Sequence, residues 1–168
     1  MHPAIRLATR NDIPLLVELM HEFYAESHVR LDRHGASATF AELLADPARG
    51  AVWLLTAGSE AAGYVVLTVG FSMEYGGRDA FVDDLFVRPA FRRQGFGRAA
   101  LATLLAECER RGVRAVHLEV GRDNPAAKAL YGRFGFRDND RQLLTVRLPR
   151  DTHAAELAIG AGGRGQVG

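Results

Sequence analysis

The stretch Val87-Arg88-Pro89-Ala90-Phe91-Arg92-Arg93-Gln94-Gly95-Phe96-Gly97-Arg98 decides how this chain folds. It joins a strand-like run, Ala80 to Val87, to a run of helical period. From Gly97 to Arg111 the apolar Leu101, Leu104, Leu105 and Cys108 share one helical face, and Gly112 suits the C-cap. Gly95 and Gly97 allow a tight turn and a close approach of backbone to ligand. The first amides of a helix have no partners inside it and point outward, so the turn is an anion cradle suited to phosphates. The helix dipole adds about 0.3–1 kcal/mol per charge. Arg92, Arg93 and Arg98 surround the cradle and favour a pyrophosphate or a 3′-phosphate. The plain alternative is a tight turn with solvated arginines.

Working outward, Ile5 and Leu7 read as a first strand. Asn11-Asp12 caps a helix with Pro14 in its first turn and Leu15, Leu16, Leu19, Met20 and Phe23 at helical spacing. Asp32 to Ser37 reads as a loop. Thr39-x-x-Glu42 reads as a capping box opening a short helix that stops before Asp46-Pro47. Val52 to Thr56 and Gly63 to Val69 form a hairpin turning at Gly58-Ser59-Glu60, and Gly76-Gly77 turns the chain again. After the long helix, Val113 to Val120 is a strand. Asn124-Pro125 starts a helix that Gly135-Phe136 ends, and Leu143 to Leu148 is a last strand. Residues 1–150 are thus expected to form one domain, followed from 151 to 168 by a mobile glycine-rich tail.

Composition narrows the function. With 168 residues the chain is long enough to bury a core without disulfides or a structural metal. Lys+Arg of 21 against Asp+Glu of 20 leaves a net charge of +1, which argues against nucleic acid or a membrane surface as partner. Lys128 is the only lysine, so the basic charge is arginine, and what matters is where those arginines sit. Cys108 is alone, so no internal disulfide or cysteine-based zinc site can form, and the histidines show no metal-binding spacing. No apolar run reaches the ~18 residues of a membrane span, and the N-terminus lacks an apolar signal core. A cytoplasmic location is expected, with no metal, membrane or nucleic-acid partner.

Gly95-x-Gly97-x-x-Ala100 also fits the dinucleotide pattern, with Glu119 standing 22 residues beyond Gly97. Against it, a proline-containing stretch separates Val87 from Gly95, and the motif does not sit in a first β-α-β unit. Too little chain follows Glu119 to finish a doubly wound sheet. A P-loop motif is absent.

The stretch Arg92-x-x-Gly95-x-Gly97 resembles the R/Q-x-x-G-x-G/A signature of the GNAT superfamily of acyl-CoA-dependent N-acyltransferases. Asn124-Pro125-Ala126-Ala127-Lys128-Ala129-Leu130-Tyr131-Gly132-Arg133-Phe134-Gly135-Phe136 resembles the family's second element, N-x-x-A-x-x-x-Y-x-x-x-G-F. The order of elements from Ile5 to Leu148 agrees, so the resemblance covers nearly the whole domain. It implies an α/β (α+β) fold: a mixed, mostly antiparallel sheet of six to seven strands, about four helices, and a splayed parallel pair forming a CoA cleft. It implies acetyl-CoA as cosubstrate, bound by the segment from Arg92 through Arg93, Gln94, Gly95, Phe96 and Gly97 to Arg98. It further implies that Leu85, Phe86 and Val87 pair with the pantetheine arm, that Asn124 contacts it, and that Tyr131 stands near the sulfur. Lys128 is a candidate phosphate contact. Asp83-Asp84 occupies the place of a carboxylate facing the acceptor, as in the di- and polyamine acetyltransferase branch. Segments holding Glu22, Tyr24, Glu26, Glu74 and Tyr75 flank the acceptor cleft in that family, and a homodimer is expected.

The chemistry assigns roles. An alkyl ammonium ionises at ~10.4, so removing its proton at neutral pH costs on the order of 4 kcal/mol. A carboxylate near the amine, acting directly or through water, helps supply this. Asp83 is favoured as base and Asp84 as a structural group, their side chains facing opposite ways unless a bulge intervenes. Tyr131 can protonate the departing thiolate. A strand amide near Phe86 or Val87 is the donor for the carbonyl oxygen. Cys108 reads as a buried inert thiol, His117 as a core histidine, and Glu119 as a possible second acid. The acceptor is expected to be a small primary amine. A protein N-terminus or lysine, a dinucleotide-binding domain and a non-catalytic CoA-binding module are the alternatives.

Overall fold

The computed structural model describes residues 3–148. The chain divides into two units, Met1–Arg137 and Asp138–Gly168. In the first unit, five strands lie in sequence order: β1 (Ala4–Leu7), β2 (Gly50–Ala57), β3 (Glu60–Ser72), β4 (Gly77–Val87) and β5 (Ala115–Leu118). The first four pair antiparallel, and β5 joins β4 in parallel. Four α-helices accompany them: α1 (Ile13–Glu26), α2 (Arg33–Ala45), α3 (Phe96–Arg110) and α4 (Pro125–Arg133).

Alternation along the strands builds two cores. Ala51, Trp53, Leu55 and Ala57 of β2 face one way, with Val65, Leu67, Ala80 and Val82, and meet Phe96, Ala100, Leu101, Leu104 and Cys108 of α3. Val52 and Leu54 face the other way, with Tyr64, Val66 and Phe86, and meet Leu16, Val17 and Leu19 of α1 and Ala36 and Phe40 of α2. Strand period 2 against helix period 3.6 produces this layering. Leu16, Leu19, Leu101 and Leu104 are fully buried, and each contributes about 1.5–3 kcal/mol of apolar burial.

Two expectations require correction. Helix α2 begins at Arg33, inside the expected loop, because the Asp32 carboxylate accepts from the amides of His34 and Gly35 and caps it there. Thr39 is then interior to the helix, and its hydroxyl donates to the Gly35 carbonyl. The strand expected over Leu143–Leu148 does not form. Leu143, Leu144, Val146 and Leu148 are exposed, with no ladder partner among the described residues. Among the described residues the sheet accordingly has five strands rather than six or seven. The expected tail, 151–168, lies outside the described residues.

Candidate active site

The site begins where β4 and β5 part. Their pairing runs from Asp79 opposite Ala115 to Val82 opposite Leu118 and goes no further. Beyond it, Leu85, Phe86 and Val87 still pair with Val65, Tyr64 and Gly63 of β3. Their other edge has no strand against it among the described residues. A strand edge without a ladder presents amides and carbonyls to an extended ligand arm.

The parting coincides with a bulge. Val66 is opposite Asp84 while Leu67 is opposite Val82, so Asp83 is the extra residue. The bulge resets the alternation. Ala80 and Val82 face the α3 core, whereas Asp84 and Phe86 lie on the side of α1 and α2. Asp83 and Asp84 therefore do not simply point apart, and the charges of both bear on Tyr24 of α1.

Asp84 is the only buried charged residue among those described, at 9% exposure. Its Oδ2 accepts from the Tyr64 hydroxyl at 2.7 Å. Burial pushes the Asp84 carboxyl up to about 6; the Tyr64 bond pulls it down and the neighbouring Asp83 charge pushes it up. Asp83 is exposed at the opening, and the protein around it raises its pKa as well. Tyr24 is pushed up to about 12 by burial and then by the two carboxylates. Nothing in the sequence distinguished Tyr64, whose position in an apolar strand reads as core.

On the other side of the sheet, Tyr131 of α4 packs against the α3 core, edge-on to Phe136 at 5.9 Å. Burial raises its pKa, so it holds its phenolic proton firmly. Tyr131 thus lies on the α3 side of the sheet and Asp84, bonded to Tyr64, on the side of α1 and α2.

The glycine turn lies at the end of β4, through a 3-10 turn, Pro89–Phe91. Gly95 is the N-cap of α3 at φ 90°, a left-handed conformation that favours glycine. The bond from the Ala99 amide to the Gly95 carbonyl, 2.9 Å, opens the helix, so the amides of Phe96, Gly97 and Arg98 have no intrahelical partner. Gly97 serves packing: a Cβ there would stand 3.1 Å from Leu130 Cδ2 of α4. Arg93 and Arg98 form no salt bridge among the described residues. Arg92 is held by Glu26, and Arg88 by Glu22. The Gln94 side chain donates to the Ala90 carbonyl at 2.8 Å and stays within the turn.

The second motif is local scaffolding as well. Asn124 Oδ1 caps α4 by accepting from the Ala127 amide at 3.0 Å. Lys128 Nζ donates to the Arg122 carbonyl at 2.8 Å. His117 lies 3.6 Å from Asp79 and in ring contact with both Tyr75 and Phe81, and Glu119 is exposed just past the end of β5. Cys108 is buried in the α3 core, and burial pushes its thiol up to about 11, far from a thiolate nucleophile.

Residues 16–136 match the Acetyltransferase (GNAT) family. The chain belongs to that family. Among solved structures, an integron cassette protein from the mobile metagenome of Cole Harbour Salt Marsh is 44% identical, with a TM-score of 0.79 over 89% of this chain and 93% of that one. A predicted acetyltransferase from Clostridium acetobutylicum, solved with acetyl-CoA, shares the GNAT fold at 18% identity, with a TM-score of 0.74 over 86% of this chain and 96% of that one. The ribosomal protein bS18-alanine N-acetyltransferase of Escherichia coli is 45% identical over 60 residues, 36% of this chain. That match spans only 40% of the relative's length. Among the described residues of this GNAT chain, no helix is long and apolar enough to cross a membrane, and no acidic, histidine or cysteine group is arranged to hold a metal.

Proposed function

We propose that the protein transfers the acetyl group of acetyl-CoA directly to a primary amine of a small molecule. One observation carries the reading: the strands part at the bulge that brings in Asp83 and Asp84, and the uncapped N-terminus of α3 stands at the end of the same strand. The residues present fit the cosubstrate. The unpaired amides of Phe96 to Arg98 and the Arg93 and Arg98 side chains suit a pyrophosphate, and Leu85 to Val87 offer an unladdered edge to the pantetheine arm, with the Val87 carbonyl already accepting from Arg92. Asn124, the N-cap of α4, borders the same arm, and Lys128 on the first turn of α4 is a candidate phosphate contact.

Acetyl-CoA supplies an activated acyl group. The chain supplies the rest. Asp83, at the opening, accepts the ammonium proton directly or through water, and Asp84 below it, fixed by Tyr64, adds negative charge that attracts the cation. A β4 amide near Phe86 or Val87 polarises the carbonyl. Tyr131, protonated, gives its hydrogen to the departing sulfur, an effect on the order of 10²-fold. The buried Cys108 takes no part, so transfer is direct within a ternary complex.

The similarity to the bS18-alanine N-acetyltransferase supports a second reading, a peptide N-terminal amine as acceptor. A panel of small amines and alanine-initiated peptides, assayed with acetyl-CoA by release of free thiol, decides between them. The first reading expects kcat/KM to be highest for a small amine, and a peptide preference overturns it. The reading also places the protein in the cytoplasm as a homodimer, which fractionation and light scattering test.

A further inference from the structure

Four charged side chains join α1 to the turn before α3. Arg88 donates from Nε and Nη2 to both oxygens of Glu22, at 2.8 and 2.6 Å, and from Nη1 to the Ala61 carbonyl at 2.7 Å. One helical turn on, Arg92 Nη2 reaches both oxygens of Glu26, at 2.5 and 2.8 Å, and Nε donates to the Val87 carbonyl at 2.8 Å. The Arg92 guanidinium also lies 5.9 Å from the centre of the Phe86 ring, on which Phe23 of α1 stacks at 5.5 Å. The spacing is matched. Glu22 and Glu26 are four residues apart on one helix face, and Arg88 and Arg92 are four apart across the 3-10 turn.

The planar guanidinium fork makes such pairs directional as well as charged. Arg88 has its three nitrogens committed, and Arg92 has two of three committed away from the α3 amides. The same end of α1 carries Tyr24, which feels both acceptor-side carboxylates. Acid at 22 and 26 therefore braces the turn instead of lining an open mouth.

We infer that Arg92, the first residue of the glycine-turn motif, is a positioning residue anchored by Glu26 that holds the turn in its binding shape, and not a phosphate contact. The inference rests on the reading that this turn binds acetyl-CoA. It makes a prediction opposite in sign to the alternative. If Arg92 binds phosphate, removing Glu26 frees it and tightens binding. If Arg92 positions the turn, removing Glu26 loosens binding as much as removing Arg92 does.

The test is calorimetric titration of the full chain with acetyl-CoA at several salt concentrations. Glu26→Gln and Arg92→Gln are each expected to weaken binding about three- to tenfold, and the double variant no more than either alone. The salt dependence should keep the wild-type slope, because no phosphate contact is lost, whereas Arg93→Gln and Arg98→Gln should reduce it. The exchanged pair Glu26→Arg with Arg92→Glu is expected to recover part of the loss. Tighter binding by Glu26→Gln, unchanged binding in both single variants, or a collapse of binding in the exchanged pair overturns the inference while leaving the acetyl-CoA site intact. No binding by the wild-type chain overturns that site, and this inference with it.

Discussion

Tyr64 donates its hydroxyl proton to Asp84 across the β3–β4 pair at 2.7 Å, one register step from the bulge where the cleft opens. Both groups are buried, and every buried side-chain nitrogen or oxygen among the described residues has a partner. This bond fixes the buried carboxylate beside Asp83, the residue proposed as the base. It also sets the energetic tension there, because burial opposes the charge that the chemistry uses.

That tension is measurable as stability. The Asp84 pKa is raised by folding, to about 6 from an ordinary 3.8. A raised folded-state value means that the protonated form is favoured in the fold. Its stabilising contribution is complete below about 3.8 and is lost as pH rises through about 6. Asp84→Asn keeps an acceptor for Tyr64 and removes the buried charge. It should raise Tm at pH 7, on the order of 2–3 kcal/mol in stability, and flatten the Tm profile between pH 4 and 6. Thermal denaturation across pH checks both.

Tyr64→Phe should do the reverse. It leaves a buried carboxylate without its donor, at a cost of about 1–3 kcal/mol. With the lowering influence gone, the Asp84 carboxyl should titrate above its wild-type value. Carbon-13 NMR of labelled aspartate in the variant and the wild type reads the shift; an unchanged titration contradicts the assigned bond.

Asp83→Asn together with Tyr131→Phe should lower turnover by at least tenfold and leave acetyl-CoA affinity nearly unchanged, because neither group is assigned to the phosphates or the pantetheine arm. Steady-state kinetics beside direct binding separates the two. In the wild type, kcat/KM for the amine should rise from pH 5 to pH 9, first as the raised carboxylates ionise and then as the amine loses its proton. A flat profile between pH 6 and 9 contradicts a proton-limited attack.

Gly95→Ala forces a left-handed alanine at φ 90° and should cost about 1–2 kcal/mol, with weaker acetyl-CoA binding because the amides of the turn are displaced. Gly97→Ala should be milder, since its new methyl meets only the far end of the flexible Leu130. Chemical denaturation of the two variants tests the order.

How much was readable in advance divides along physical lines. Local patterns carried the helical faces of α1 and α3, the two hairpins and the glycine turn, since each needs only nearby residues. Helix α2 starts six residues ahead of the Thr39-x-x-Glu42 pattern because the Asp32 carboxylate caps it first, which a reading of Asp32 to Ser37 as loop does not include. The Leu143–Leu148 run has strand-like residues, but a strand also needs a partner edge, which no local pattern supplies. The bulge at Asp83 was foreseen only as a condition on how two adjacent aspartates point. The Tyr64–Asp84 bond and the Glu26–Arg92 bridge join residues 20 and 66 positions apart. The one trace of the latter was a matched spacing of four between acids and arginines.

Acetyl transfer from acetyl-CoA to an amine is the central claim, and following an isotopically labelled acetyl group tests it most directly. With labelled acetyl-CoA and the amine panel, the label should appear on the amine nitrogen, one for each free thiol released, and never on the protein. Thiol release without labelled amine, label held covalently on the chain, or no reaction with any small amine or peptide would contradict it.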